Sequence, residues 1–223
     1  MIFVNFKSGT EGTGARAIAL IEKLAEAQKE TKVPIIPVPH DLDIYQIFNK
    51  WNGEIWIQHI DYEYGDTGRN SLKLLKDWTA ENSRKITGVF LNHSEHKYHS
   101  WDKLKLVINE SKELGIKTMV FGSTLEEFSN ACELAPDFAA YEPAELIASP
   151  TTSVAKSAPD QIKKAAEVAK NAGIPLIVGA GVKDSKDVSL SLSLGAVGVA
   201  VSSAIIRAED PKAVVLDLAK GFK

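Results

Sequence analysis

The strongest constraint on this chain is a rhythm. Eight short apolar runs recur along it, each followed by a segment of helical pattern. The runs are Ile2–Val4, Val33–Val38, Ile55–Ile57, Gly88–Leu91, Lys117–Phe121, Phe138–Tyr141, Pro175–Val178 and Val197–Val201. They are rich in Val, Ile and Phe, the composition of strands buried on both faces of a parallel sheet. One such run could be a piece of helix; eight in succession are strands. Between them, Ala17, Leu20, Ile21 and Leu24 share one helix face, and Ile162, Ala165, Ala166 and Ala169 repeat the spacing. Pro159 stands near the start of that second helix, and Gly173 and Pro175 stand past its end. Gly115 stops the helix before it in the same way.

Strand–helix alternation demands crossover connections and a parallel sheet. Eight units of roughly 28 residues predict a closed (β/α)8 barrel, an α/β fold, with residues 1–223 as a single domain. The alternative is a doubly wound open sheet. Gly9, Gly12 and Gly14 follow the first strand, but not in the Gly-x-Gly-x-x-Gly spacing of a dinucleotide site.

Charge and hydropathy exclude several partners. Twenty-six basic against 29 acidic residues leave a net charge of −3, which argues against a nucleic-acid binder. No apolar run approaches the roughly 20 residues that span a bilayer, so no membrane partner is expected. Asn5 and Lys7 interrupt the apolar start before it resembles a leader. The single cysteine, Cys132, cannot pair internally and fits a reduced, cytoplasmic setting.

Barrels of this kind carry their chemistry at the C-terminal strand ends. There stand Asn5 and Lys7, then Asn92, His93, Ser94 and Glu95, then Glu142, then Gly179, Ala180 and Gly181, and last Ser202 and Ser203. A base, an imidazole, an ammonium and two small-residue loops thus converge on one face. Gly179-Ala180-Gly181 lets backbone N–H groups approach an anion closely. Ser202 and Ser203 read as opening and capping the last helix, a further set of donors for phosphate. Plain turn chemistry is the other reading of both loops. His93, His96 and His99 fall at offsets 0, 3 and 6, yet no cysteine is near, and no metal site is expected. His96 and His99 read as solvated, His59 as structural, the four tryptophans as packing or interface residues, and the run Lys183–Asp187 as solvated helix surface.

Asn5-Phe6-Lys7, Asn92-His93-Ser94-Glu95, Tyr141-Glu142-Pro143-Ala144-Glu145-Leu146-Ile147 and Gly179-Ala180-Gly181-Val182 resemble, in order, the motifs of the triosephosphate isomerase family. The short form typical of archaea is the most similar. Gln58-His59-Ile60-Asp61 and Thr67-Gly68-Arg69 resemble its third loop, and the likeness runs from Ile2 to about Leu218. The resemblance implies a TIM barrel and these roles. Glu142 is the catalytic base and His93 the electrophile. Lys7 is the ammonium that binds substrate, Asn5 its polar neighbour, and Glu95 the carboxylate that holds it. Ile147, Ala148, Gly181, Ser202 and Ser203 contact substrate and phosphate. It also implies a triose phosphate substrate, no cofactor, and a homodimer or tetramer in which the long loop Asp61–Asn70 docks into a partner. A neutral imidazole is the known arrangement of triosephosphate isomerase itself, not a deduction from these residues. Here Ser94, read as opening the next helix, would favour it.

The lid departs from the family. Where Ile-Gly-Thr-Gly is usual, this chain reads Ile147-Ala148-Ser149-Pro150-Thr151-Thr152. The glycines that can adopt φ > 0 are gone, and Pro150 offers no N–H. Weaker phosphate binding is expected. Two functions follow: an active isomerase, or a low-turnover phosphosugar-binding protein on the same scaffold. A Schiff-base aldolase using Lys7 is a weaker third.

Overall fold

The computed structural model describes residues 1–62, 70–81, 86–146 and 153–223. Its eight strands are β1 (Ile2–Asn5), β2 (Ile35–Val38), β3 (Ile55–Ile57), β4 (Ile86–Leu91), β5 (Lys117–Gly122), β6 (Phe138–Tyr141), β7 (Leu176–Val178) and β8 (Gly198–Val201). The helices between and after them are α1 (Ala15–Glu30), α2 (Ile44–Phe48), α3 (Leu72–Glu81), α4 (Trp101–Glu113), α5 (Leu125–Glu133), α6 (Val154–Ser157), α7 (Pro159–Ala172), α8 (Ser185–Ser193), α9 (Ser203–Ile206) and α10 (Pro211–Lys220). Each strand coincides with a predicted run to within two residues. The larger shifts have local causes. β4 begins two residues early, at Ile86, because polar Thr87 belongs to the strand and its hydroxyl donates to the Ile55 carbonyl at 3.3 Å.

All seven paired neighbours are parallel, in the order β2-β1-β8-β7-β6-β5-β4-β3. β2 and β3, the two ends of that order, lie side by side. Because β1 pairs with both β2 and β8, the spatial order is the chain order bent into a ring. A doubly wound sheet would place the first strand in the middle with crossovers on both sides.

Alternation along each strand decides what faces the axis. Phe3, Trp56, Phe90, Met119, Phe121, Ala140, Ile177 and Ala200 fill the barrel interior as one cluster. Their strand neighbours Ile2, Val4, Ile55, Ile57, Val89, Leu91, Val120, Val199 and Val201 pack outward with the helices. Trp56 is the largest interior side chain and is fully buried; its ring packs edge-on against Phe3 at 4.8 Å. Gly88 makes room for it, since a Cβ there would sit 2.1 Å from the indole. Trp51 is also buried, Trp101 lies at the surface, and the Trp78 side chain is outside the described residues.

The helices follow their sequence signals. α1 buries Ala17, Leu20, Ile21 and Leu24. α7 carries proline in its first turn and ends on Gly173 at φ 71°, a left-handed cap. Among the described residues no helix is long and apolar enough to cross a membrane.

Candidate active site

The alternation that fills the barrel also builds the site above it. Asn5 stands two residues beyond Phe3, Glu142 two beyond Ala140, and Ser202 two beyond Ala200. Each therefore continues an inward-facing row past the strand end, and all three line one cavity of about 490 Å3 at the C-terminal mouth. Lys7, His93, Glu95, Gly181 and Ser203 line it as well.

Lys7 is held by its backbone. Its φ of 59° is left-handed, a conformation that needs local support in a residue with a Cβ. That support is its own N–H, donated to Asn5 Oδ1 at 2.9 Å, and its carbonyl, which accepts from Gln58 Nε2 at 3.1 Å. The ammonium then meets Glu95 Oε2 at 2.5 Å. Burial pushes the Glu95 carboxyl up, but the Lys7 ammonium, backed by His93, outweighs it and holds the acid below the usual carboxylate range.

His93 reaches the cavity because Asn92 breaks the strand alternation. Asn92 has φ 59°, donates from Nδ2 to the Phe121 carbonyl at 3.0 Å and accepts the Tyr98 N–H at 3.1 Å. The expected helix start at Ser94 is not there. Residues 94–100 form turns, and α4 begins at Trp101 behind the Ser100 cap. The imidazole is instead set by its neighbour: Nδ1 accepts the Glu95 backbone N–H at 3.2 Å. A hydrogen bond accepted at Nδ1 favours the tautomer whose proton sits on Nε2, turned into the cavity.

Glu142 is buried, 8% exposed. Its Oε2 lies 3.0 Å from His93 Nε2, yet the ring N–H is not aimed at it and the oxygen has no hydrogen bond. A buried carboxylate oxygen without a partner is a base held ready for a proton. Gly179, whose N–H donates to the Tyr141 carbonyl at 3.1 Å, supplies the wall behind it. A Cβ at Gly179 would stand 2.5 Å from Glu142 Oε1. Gly179→Ala should therefore push the carboxylate aside and lower kcat by about 100-fold with little change in melting temperature. A variant with wild-type kcat would show that the carboxylate position is not demanding.

The far end of the cavity is the anion end. Ala180 and Gly181 are both left-handed, at φ 67° and 72°. Ser202 precedes α9, a helix of four residues, and its side chain caps nothing. The expectation that Ser202 and Ser203 cap the last helix is thus corrected: that helix is α10, capped by Asp210. A side chain not used as a cap is left for the cavity that Ser202 lines. Two residues with no sequence signal also stand here. Arg207, at the end of α9, lines the mouth and lies 3.4 Å from Glu11 of the first loop. Ile147 and Ala148, with Pro150 and the rest of the lid to Thr152, lie outside the described residues, as do Thr67-Gly68-Arg69.

Just beyond the lid the reading of Lys183–Asp187 as solvated surface is overturned at Asp187, while Lys186 is exposed as expected. Asp187 is 1% exposed. Its Oδ1 accepts from Ser153 Oγ at 2.7 Å and meets Lys156 Nζ at 2.8 Å, and its Oδ2 accepts the Lys183 N–H at 3.0 Å. This network ties the segment that follows the lid to the loop after β7. Burial pushes the carboxyl up, but the Lys156 ammonium and the Ser153 and Lys183 donors win and hold it below the ordinary value. A depressed folded pKa contributes stability that is complete above the unfolded value, about 4, and is lost as pH falls through the folded one. Denaturation series from pH 7 to 3 should show Asp187→Asn about 1–3 kcal/mol less stable at pH 7 and converging on wild type in acid. A constant gap across that range would contradict this.

The three histidines at offsets 0, 3 and 6 do not meet. His93 is in the catalytic cavity, His99 is exposed, and His96 stacks on His59, centroids 3.5 Å apart.

Comparison with known proteins agrees with the geometry. A family model described as "Triosephosphate isomerase" matches residues 1–131 and 107–220. The chain is 34% identical over 220 residues to the triosephosphate isomerase of Methanobacterium bryantii, covering 98% of this chain and 95% of that one. It is 33% identical over 212 residues to that of Thermoplasma volcanium, covering 94% of each. With that of Saccharolobus solfataricus it shares 34% over 220 residues, 97% of this chain and 93% of the relative.

Proposed function

The chain belongs to the triosephosphate isomerase family, and from that premise we propose that it interconverts dihydroxyacetone phosphate and D-glyceraldehyde 3-phosphate by moving one proton between adjacent carbons through an enediolate. What supports this reading most is one juxtaposition: a Glu142 oxygen without a hydrogen bond, the Nε2 of His93 and the Lys7 ammonium all face one cavity.

Each group has a step. Glu142 takes the proton from C1 of the ketone and returns it to C2, which one carboxylate oxygen above both carbons can do. As the proton leaves, charge develops on the two oxygens. His93 Nε2–H and the Lys7 ammonium are donors aimed at that charge and already oriented by Glu95 and Asn5, so little reorganisation is needed. Asn5 fixes the turn that presents Lys7. Backbone N–H groups around Gly181 and Ser203, the Ser202 hydroxyl and, from the lid, Ile147 and Ala148 bind the phosphate. Arg207 offsets the charge of Glu11 at the same end. The reaction asks for no redox change and no cofactor.

A low-turnover phosphosugar binder is the second reading, favoured by the glycine-free lid. A binder has no use for a buried carboxylate oxygen left without a hydrogen bond, since leaving such an atom unsatisfied costs stability. The coupled isomerase assay separates the two readings, and turnover that does not depend on Glu142 would favour the binder.

The assembly follows from the third loop. Residues Asp61–Asn70 exceed an ordinary βα connection, and in this family the loop docks into a neighbouring subunit. The protein is therefore at least a homodimer, and light scattering should give two chains or four. A mass of one chain would refute it. A soluble enzyme of this class acts in the cytoplasm.

A further inference from the structure

Beside the catalytic cavity lies a second one of about 330 Å3, walled by His40, Asp41, His59, Asp61 and His96. The isomerase reaction uses none of these five. Among the described residues the lysine that reaches this cavity is Lys7, already paired with Glu95. Asp41 Oδ1 is buried here without a hydrogen bond, and burial pushes that carboxyl up. The wall is thus rich in carboxylate and imidazole.

Three of the groups converge. The ligating atoms of His59, Asp61 and His96 all lie within 4.8 Å of one another. His59 Nε2 and Asp61 Oδ1 are 3.6 Å apart, too long for a hydrogen bond. That span is close to the edge of roughly 3.4 Å between two ligands of a tetrahedral zinc ion with bonds of about 2.05 Å. The backbone holds Asp61 in place: its N–H donates to the Asn70 carbonyl at 2.7 Å, and its Oδ2 accepts the Asn70 N–H at 2.8 Å, while its Oδ1 faces His59. Tyr98 steadies the segment from behind by donating its hydroxyl to the Ile60 carbonyl. His96 is exposed and stacked on His59 with the rings 16° from parallel, so its ring turns out of that stack to aim a nitrogen at the same ion.

We propose that His59, Asp61 and His96 hold a divalent transition-metal ion of the zinc class, a water completing the tetrahedron. Two imidazoles and a carboxylate select Zn2+, Co2+ or Ni2+ over Mg2+ and Ca2+. The ion would tie the segment after β3 to the segment after β4, next to the Lys7–Glu95 pair. It takes no part in the proton transfer, so its presence and the isomerase reading are tested separately.

Untagged, chelator-treated protein is titrated with ZnCl2 by calorimetry and with CoCl2 by visible absorption. One Zn2+ per chain is expected, with tetrahedral Co2+ bands. His96→Ala and Asp61→Asn should each weaken zinc binding by about tenfold or more, while His99→Ala leaves it unchanged. His96→Ala should keep wild-type isomerase turnover, which shows an intact fold even if Asp61→Asn is unstable. Absence of zinc binding by wild type, or undiminished binding by His96→Ala, would overturn the site.

Discussion

Replacing Glu142 by glutamine is expected to lower kcat on the order of 100- to 10,000-fold. The change keeps the shape that packs against Gly179 and removes only the ability to accept a proton. Binding of an anion that cannot isomerise, such as glycerol 3-phosphate, should stay near wild type, because Glu142 sits over the carbon skeleton and the phosphate is held at the other end of the cavity. Calorimetry with that ligand and a coupled assay together separate loss of chemistry from loss of binding. If kcat falls less than about tenfold, the base lies elsewhere, and Glu145 on the same segment is the next carboxylate to test.

Lys7→Met should cost roughly 100- to 1,000-fold in kcat/KM, divided between a higher KM and a lower kcat. The ammonium attracts the anionic substrate before reaction and the enediolate during it, so both parameters move. Part of the loss comes from Glu95, which keeps its charge at the cavity edge once its partner is gone. The double variant Lys7→Met, Glu95→Gln should therefore recover some KM relative to Lys7→Met alone. Lys7→Arg should not restore turnover, since a planar fork cannot replace a compact ammonium held at 2.5 Å from one oxygen. A Lys7→Met enzyme with nearly normal KM would place substrate attraction elsewhere, with Arg207 the first alternative.

Local pattern carried the fold because every strand here is buried on two sides and so reads as an unbroken apolar run. It also carried much of the site. Asn5, Glu142 and Ser202 each lie two residues past an interior residue, so strand parity alone aims them at the mouth. The parts that were not legible depend on contacts between distant segments. His93 enters the cavity because Asn92 turns left-handed, and its proton is placed by one backbone N–H rather than by a helix at Ser94. Asp187 looks like surface in its own helix, yet it is buried where Ser153 and Lys156, more than 30 positions earlier, come to lie on it. Gly179 reads as a phosphate-loop glycine, whereas the demand on it comes from the Glu142 side chain. Glu11 and Arg207 face one another across the first and last loops, a pairing that only closure of the barrel creates. His59 and His96 stack for the same reason, between the third and fourth units.

The central claim is that one carboxylate carries a proton between two carbons. It is tested most directly by letting the wild-type enzyme and Glu142→Gln convert dihydroxyacetone phosphate in D2O and reading the product by NMR. The account predicts deuterium at C2 of glyceraldehyde 3-phosphate with wild type, because a proton on an active-site carboxylate exchanges with solvent. It predicts neither deuterium nor product from the variant on the same time scale. Product formed equally fast by Glu142→Gln, or deuterium introduced equally well by that variant, would contradict it.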